Sequence, residues 1–367
     1  MKKNDVLFDG LGEYLIALLR YGVLDEKPTI IQPSSQVDWD RMMDIASVQG
    51  ILAWVWDGIC KLPKEFQPPR QQAINWGLSA QEIWDRNNTQ KKVLRQMIDV
   101  CSKNNIRLLL FKGIALSELY PKPESRPSGD IDIYLFEDYS RGDQLFAHEN
   151  VTKTHKRTGF DFKGVHIENH RIFLNTYTKK QKNAVAYLEE SLKDATLTKD
   201  GYYMMSPIAS IVYQVMHFMA HFDDVANPLS LRFVVDFGVT LKHYQSQISS
   251  NELETILRRI EIFNTFCLLL CLVKEIMNID YEFFSCERVG SKDTHAALKL
   301  IFERQGNSVP LIERPLAEIV LFYFYFFKKY VGIHKYLSRS KSKFISHHLS
   351  KLMSIIIRRI LHIPNNC

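Results

Sequence analysis

The densest chemistry in the chain lies in Ser128-Gly129-Asp130-Ile131-Asp132. On a strand, side chains two residues apart point to the same side, so Asp130 and Asp132 share a face. Like charges so placed repel unless a cation sits between them. Magnesium suits such a pair, because it takes one or two carboxylates and fills its remaining positions with phosphate oxygens and water. Upstream, Lys112-Gly113 follows an apolar run and opens a helical pattern, which offers backbone N–H groups and a point charge to an anion. Downstream, Glu168 and His170 share one face of an alternating segment. Glu168 can add a third carboxylate, and His170 can orient it or meet a phosphate. Two metal-holding carboxylates with a third as base or second ligand suit in-line displacement at phosphorus.

The elements that must position these residues follow from periodicity. Ile106–Phe111 is a short apolar run bounded by Asn104-Asn105 and Lys112-Gly113, and reads as a buried strand. Ile114–Tyr120 has helical spacing and stops at Pro121. Residues 121–129 hold three prolines and form a loop. The segment from Asp130 to Phe136 alternates as a second strand, with Tyr134 on the carboxylate face, where it can stack on a base or cover the sheet. Phe162–Asn169 is the third. Residues 5–101 read as helical, with proline stops at Pro63 and Pro68-Pro69 and a long amphipathic helix over Gln71–Lys103. Helices are predicted again over Ile208–Phe222, Leu229–Lys242 and Glu252–Met277. The implied fold class is α+β: a small mixed β-sheet core flanked by N-terminal and C-terminal helical regions. The boundaries fall at 1–103, 104–204, 205–327 and a basic tail, 328–367.

Phe111-Lys112-Gly113-Ile114-Ala115-Leu116, Leu119-Tyr120-Pro121 and Arg126-Pro127-Ser128-Gly129-Asp130-Ile131-Asp132 together resemble an uncharacterised bacterial nucleotidyltransferase family. That family lies within the polymerase-beta-like nucleotidyltransferase superfamily. The likeness continues at Val165-His166-Ile167-Glu168-Asn169-His170, at His217–His221 and at Leu231-Arg232 to Asp236, and its most specific part is 109–135. The resemblance implies a minimal nucleotidyltransferase fold, with Asp130 and Asp132 holding Mg²⁺ (or Mn²⁺) and Glu168 as the third carboxylate. The wider superfamily has Gly-Ser or Gly-Gly where this chain has Lys112-Gly113-Ile114. Nucleotide binding then falls to Lys112, the Gly113 backbone, Arg126, Ser128, Gly129 and His170. The expected reaction moves NMP from an NTP to an acceptor, which is a small molecule, a protein or an RNA. The competing class is a binding or regulatory module that has kept the fold and lost turnover, for which the missing Gly-Ser is the motive.

The charge pattern separates body from tail. The 367 residues carry 47 Lys/Arg and 41 Asp/Glu, a net charge of +6. Residues 328–367 hold nine Lys/Arg and no acidic residue, so residues 1–327 have 38 basic against 41 acidic. The tail, an amphipathic basic helix over 335–359, points to an anionic partner, RNA or a membrane surface. The longest apolar run, Ile319–Phe327, is nine residues, about half of a membrane span. Its aromatic part, Phe322–Phe327, reads as a buried helix. Six scattered cysteines without a CxxC pair exclude a disulfide scaffold and a structural zinc site, and fit reduced thiols in the cytoplasm. His217 and His221 are spaced i, i+4 but lack the glutamate of a zinc protease, so they read as packing or hydrogen-bonded histidines. Arg232 and Asp236, also i, i+4, read as an intrahelical ion pair.

Overall fold

The computed structural model describes residues 10–24, 36–174, 178–222, 229–281 and 289–303, with Ser346, Leu349, Ser350, Leu352 and Met353. The aromatic run 322–327 and almost all of the basic tail lie outside the described residues.

The chain opens with four helices: α1 (Gly10–Leu24), α2 (Trp39–Val48), α3 (Leu52–Cys60) and α4 (Arg70–Lys103). Asp38 caps α2 by accepting from the Arg41 N–H. Glycines let α1 and α3 approach closely: a Cβ on Gly58 would stand 2.0 Å from the Leu18 carbonyl oxygen, and one on Gly22 would stand 1.8 Å from that of Trp54. Then come β1 (Leu109–Leu110), the single turn α5 (Ile114–Ser117), β2 (Ile131–Tyr134), α6 (Tyr139–Phe146), β3 (Glu149–Lys153), β4 (Arg157–Phe162) and β5 (Val165–His170). The chain continues through α7 (Lys179–Ser191), β6 (Thr196–Leu197), β7 (Tyr203–Met204), α8 (Pro207–Phe222), α9 (Leu231–Tyr244), α10 (Ser250–Arg259), α11 (Phe263–Met277) and α12 (Ser291–Glu303).

The seven strands form one mixed sheet in the order β3-β4-β5-β2-β1-β7-β6. β2 runs parallel to β5 and antiparallel to β1, while β1 is parallel to β7. The α+β class therefore holds. The expected first strand is paired only at Leu109 and Leu110, between β2 and β7. The helix expected over Glu252–Met277 is two helices: Glu261 takes a left-handed φ of 64° and the Ile262 N–H bonds back to the Leu257 carbonyl. Four strands, β3, β4, β6 and β7, were not foreseen. β3 and β4 form a meander with β5, and the β4–β5 turn, Lys163-Gly164, has positive φ at both positions, as a two-residue hairpin requires.

Two apolar cores result. One face of the sheet packs Ile131, Ile133, Phe160 and Ile167 against Met97, Ile98 and Cys101 of α4 and against Phe146 of α6. The larger core joins α1–α3 to α8, α9 and α11, with Leu109, Phe111 and Tyr120 reaching into it from the β1 region. The four described cysteines, Cys60, Cys101, Cys267 and Cys271, are free thiols. Among the described residues no helix is long and apolar enough to cross a membrane.

Candidate active site

The parallel pairing of β2 with β5 puts Asp132 directly opposite Glu168. Both side chains are buried, as is His170 two residues further along β5. Neighbouring strands lie ≈ 4.8 Å apart, so their like charges need cations. Lys112, two residues after β1, supplies one: its Nζ is 2.6 Å from Asp132 Oδ1 and 3.8 Å from Glu168 Oε2. Arg157 of β4 adds a second, 2.9 Å from Glu168 Oε1. His170 Nε2 lies 2.8 Å from Asp132 Oδ1 and 3.2 Å from Glu168 Oε2.

These contacts set the protonation of the cluster. Burial would raise Asp132, but Lys112 and His170 outweigh it and hold the carboxyl well below the usual range. Burial likewise opposes the charged forms of Lys112 and His170, and the carboxylates win, so both are raised. Asp130 differs. It sits just before β2, partly exposed, and burial with the neighbouring Asp132 charge raises it against the pull of Lys112.

The loop carrying Asp130 is held from α4. The buried Asn87 amide donates to the carbonyls of Glu124 and Arg126, both at 2.7 Å, and Trp84 Nε1 donates to Ser125 Oγ at 2.9 Å. Ser128 Oγ donates to the Asp130 carbonyl at 3.0 Å. Gly113 takes φ 57° and ψ −120°, a conformation essentially confined to glycine. A Cβ there would stand 3.4 Å from both Ser128 Oγ and the Asp130 carbonyl and 3.6 Å from Asp132 Oδ2.

Asp130, Asp132, Glu168, Lys112, Arg157 and Gly113 line a cavity of about 410 Å³ between the sheet and helices α8 and α9. Every residue expected to bind metal or nucleotide lines it except His170, which stands behind Asp132 and Glu168. Phe111 packs edge-on against both His170 and Tyr213 of α8. Arg126 lines the cavity, but its Nε and Nη2 each donate to Asp236 at 2.8 Å, and Tyr120 donates to the same carboxylate at 2.6 Å. This corrects the intrahelical Arg232–Asp236 pair expected from spacing. A bidentate guanidinium–carboxylate fork is stronger than a side-by-side helical pair. His217 and His221 do form a pair, Nε2 to Nε2 at 3.1 Å, beside Phe233. Burial, with His221 and Lys112 nearby, drives His217 well below the ordinary histidine value, so it is neutral. Tyr134 stacks on Phe173 and covers the sheet.

Sequence reasoning missed Arg157, Tyr213 and Gln214. The two-residue Lys-Gly turn between alternating runs was a usable hairpin signal for β4, and so for Arg157. No local pattern marks Tyr213 or Gln214, which enter the site only because α8 crosses the sheet.

Residues 35–278, two thirds of the chain, match the family described as uncharacterised nucleotidyltransferase. The chain belongs to that family. No curated protein and no solved structure matches it. The matched span of this nucleotidyltransferase-family chain holds every charged group of the cavity.

The donor set of this family member fits a divalent cation. Asp132 Oδ2 is buried with no hydrogen-bond partner, and Asp130 opens onto the same cavity. Asp132, Glu168 and His170 each place one ligand atom within 4.8 Å of the others. Hard carboxylate oxygens favour magnesium or manganese among the common ions.

Proposed function

We propose that this protein is a Mg²⁺-dependent nucleotidyltransferase that moves NMP from an NTP to a hydroxyl-bearing acceptor. The observation that supports it best is the in-register Asp132–Glu168 pair, with Asp132 Oδ2 unpartnered and Asp130 and Asp132 lining one cavity. Asp130 and Asp132 hold the metal, which supplies charge neutralisation at the phosphates and alignment of the attacking oxygen. Glu168, fixed by Arg157 and Lys112, accepts the acceptor's proton. The acceptor oxygen then bonds to the α-phosphorus as its bond to the bridging oxygen breaks, and pyrophosphate leaves with the electron pair. Lys112 neutralises phosphate charge, and Gly113 lets the backbone approach it.

The bridge from Lys112 to Asp132 supports a second reading, a binding module in which a lysine replaces the metal permanently. Turnover separates the two. Native protein is mixed with Mg²⁺ and each of the four NTPs, and its melting and pyrophosphate release are followed. A nucleotide at about 100 times its Kd adds roughly 2.7 kcal/mol to stability. A metal-dependent shift lost in Asp130→Asn/Asp132→Asn, with pyrophosphate released once an acceptor is present, supports transfer. A shift that needs no metal, without release across an acceptor panel, supports the binding module. No shift with any nucleotide would sink both.

A further inference from the structure

Four cationic side chains line the cavity, and three have a carboxylate partner: Lys112 on Asp132, Arg126 on Asp236 and Arg157 on Glu168. The fourth, Arg232 in the first turn of α9, has none among the described residues. Its Nη1 donates only to the Pro127 carbonyl, at 3.4 Å. Asp236 and Asp130 are near enough to act on it electrostatically, but neither is within ion-pair distance. Asp130 is the mirror case, a cavity carboxylate with no cationic partner in contact. Among the described residues the cavity thus presents one unpaired anion and one unpaired cation, the complement of a metal ion bound to a polyphosphate.

Arg232 is also built in rather than left over. The Leu231 N–H donates to Gln49 Oε1 at 2.6 Å and the Arg232 N–H to the Gln49 carbonyl at 3.3 Å. Gln49 is itself buried and donates to the Ile301 carbonyl at 3.1 Å. The stem of Arg232 lies over Gly50, where a Cβ would touch it at 3.6 Å and where φ is +63°. Desolvation, and then the charge of neighbouring Arg126, lowers the Arg232 pKa, yet a guanidinium stays charged. A half-buried, braced cation with donors to spare is a site for an anion with fork-shaped acceptors.

We infer that Arg232 binds the terminal phosphates of the nucleotide, taking the part that the Lys112-Gly113-Ile114 turn does not supply. The inference rests on the transfer reading for its nucleotide but not for its anion. Lys112 and the Gly113 backbone meet the α-phosphate beside the carboxylates, while Arg232 holds the far end of the chain against α9. Placed there, the guanidinium stabilises charge that builds on pyrophosphate as it leaves.

Calorimetry with inorganic tripolyphosphate in chelator, and with ATP and AMP in Mg²⁺, tests the inference on native protein, Arg232→Gln and Arg232→Lys. Loss of a charge-assisted hydrogen bond predicts that Arg232→Gln binds tripolyphosphate and ATP about tenfold or more weakly, with AMP affinity unchanged. Arg232→Lys, which keeps the stem over Gly50 and the charge but not the fork, is expected to fall between. Melting curves check the fold of each variant; should Arg232→Gln not fold, unchanged tripolyphosphate affinity in Arg232→Lys overturns the inference. Native-like tripolyphosphate affinity in Arg232→Gln, or none in the native chain, overturns it as well, even if Asp132-dependent pyrophosphate release is seen. Arg232-dependent tripolyphosphate binding with no nucleotide turnover leaves the anion site standing and removes the transfer reading instead.

Discussion

Asp130 and Asp132 are two residues apart, yet the fold treats them oppositely. Asp132 is held below the ordinary carboxyl range despite its burial, so folding favours its ionised form. Its contribution is complete above the unfolded value, about 3.9, and is lost as pH falls toward the folded value. Asp130 is raised by burial and by Asp132, so the folded chain binds its proton more tightly than the unfolded chain does. Above that raised value its charge costs stability. In chelator at pH 7, Asp130→Asn is therefore expected to raise the melting temperature. Asp132→Asn is expected to lower stability by about 1–3 kcal/mol, since it weakens charged hydrogen bonds to Lys112 and His170. Calorimetric melts of the two variants check this, and shifts of the same sign would refute it. Gly113→Ala is expected to cost about 1–3 kcal/mol, because alanine tolerates that φ and ψ poorly. Urea titration measures the loss, and unchanged stability would mean that the turn relaxes.

Between elements, the contacts that align the cavity walls are few and buried. Arg126 in the loop before β2 meets Asp236 of α9, and Tyr120, stacked on Trp54 of α3 at 4.8 Å, donates to the same carboxylate. Helices α3 and α9 and the loop are thereby fixed to one another. Asp236→Ala leaves a buried guanidinium uncompensated and is expected to cost about 3–5 kcal/mol. Chemical denaturation reads the cost, and a loss under 1 kcal/mol would show that the cavity admits water to Arg126. The α1–α3 contact is steric instead. Gly58→Ala would drive a methyl into the Leu18 carbonyl, and overpacking of this kind costs about 1–3 kcal/mol. Thermal melting is the check, and an unshifted midpoint would mean that the helices separate freely.

At the scale of the whole molecule, the larger core draws on both ends of the described chain, from Leu15 and Trp54 to Leu268 and Ile301. The smaller core needs the last turns of α4 to cover the sheet. A fragment spanning residues 104–281 loses α1–α4 and exposes both cores, so it is expected not to fold alone. Circular dichroism on heating would show a broad, noncooperative change; a sharp transition would mean that the sheet and α8–α11 form an independent unit.

Much of the site was legible in sequence because its signals are local. Alternation on β2 and β5 is a steric property of each strand, so it assigned Asp132, Glu168 and His170 to faces without knowledge of their neighbours. Lys112-Gly113 was legible because a turn that needs positive φ selects glycine. Which strands adjoin is a matter of long-range pairing, and that alone decided that Asp132 stands opposite Glu168. The same holds for Arg157, which reaches Glu168 from a third strand, and for Asp236, whose spacing suggested Arg232 while the fold supplied Arg126. Local periodicity determines which way a side chain points; burial and chain crossing, which sum over the whole molecule, determine what it meets there.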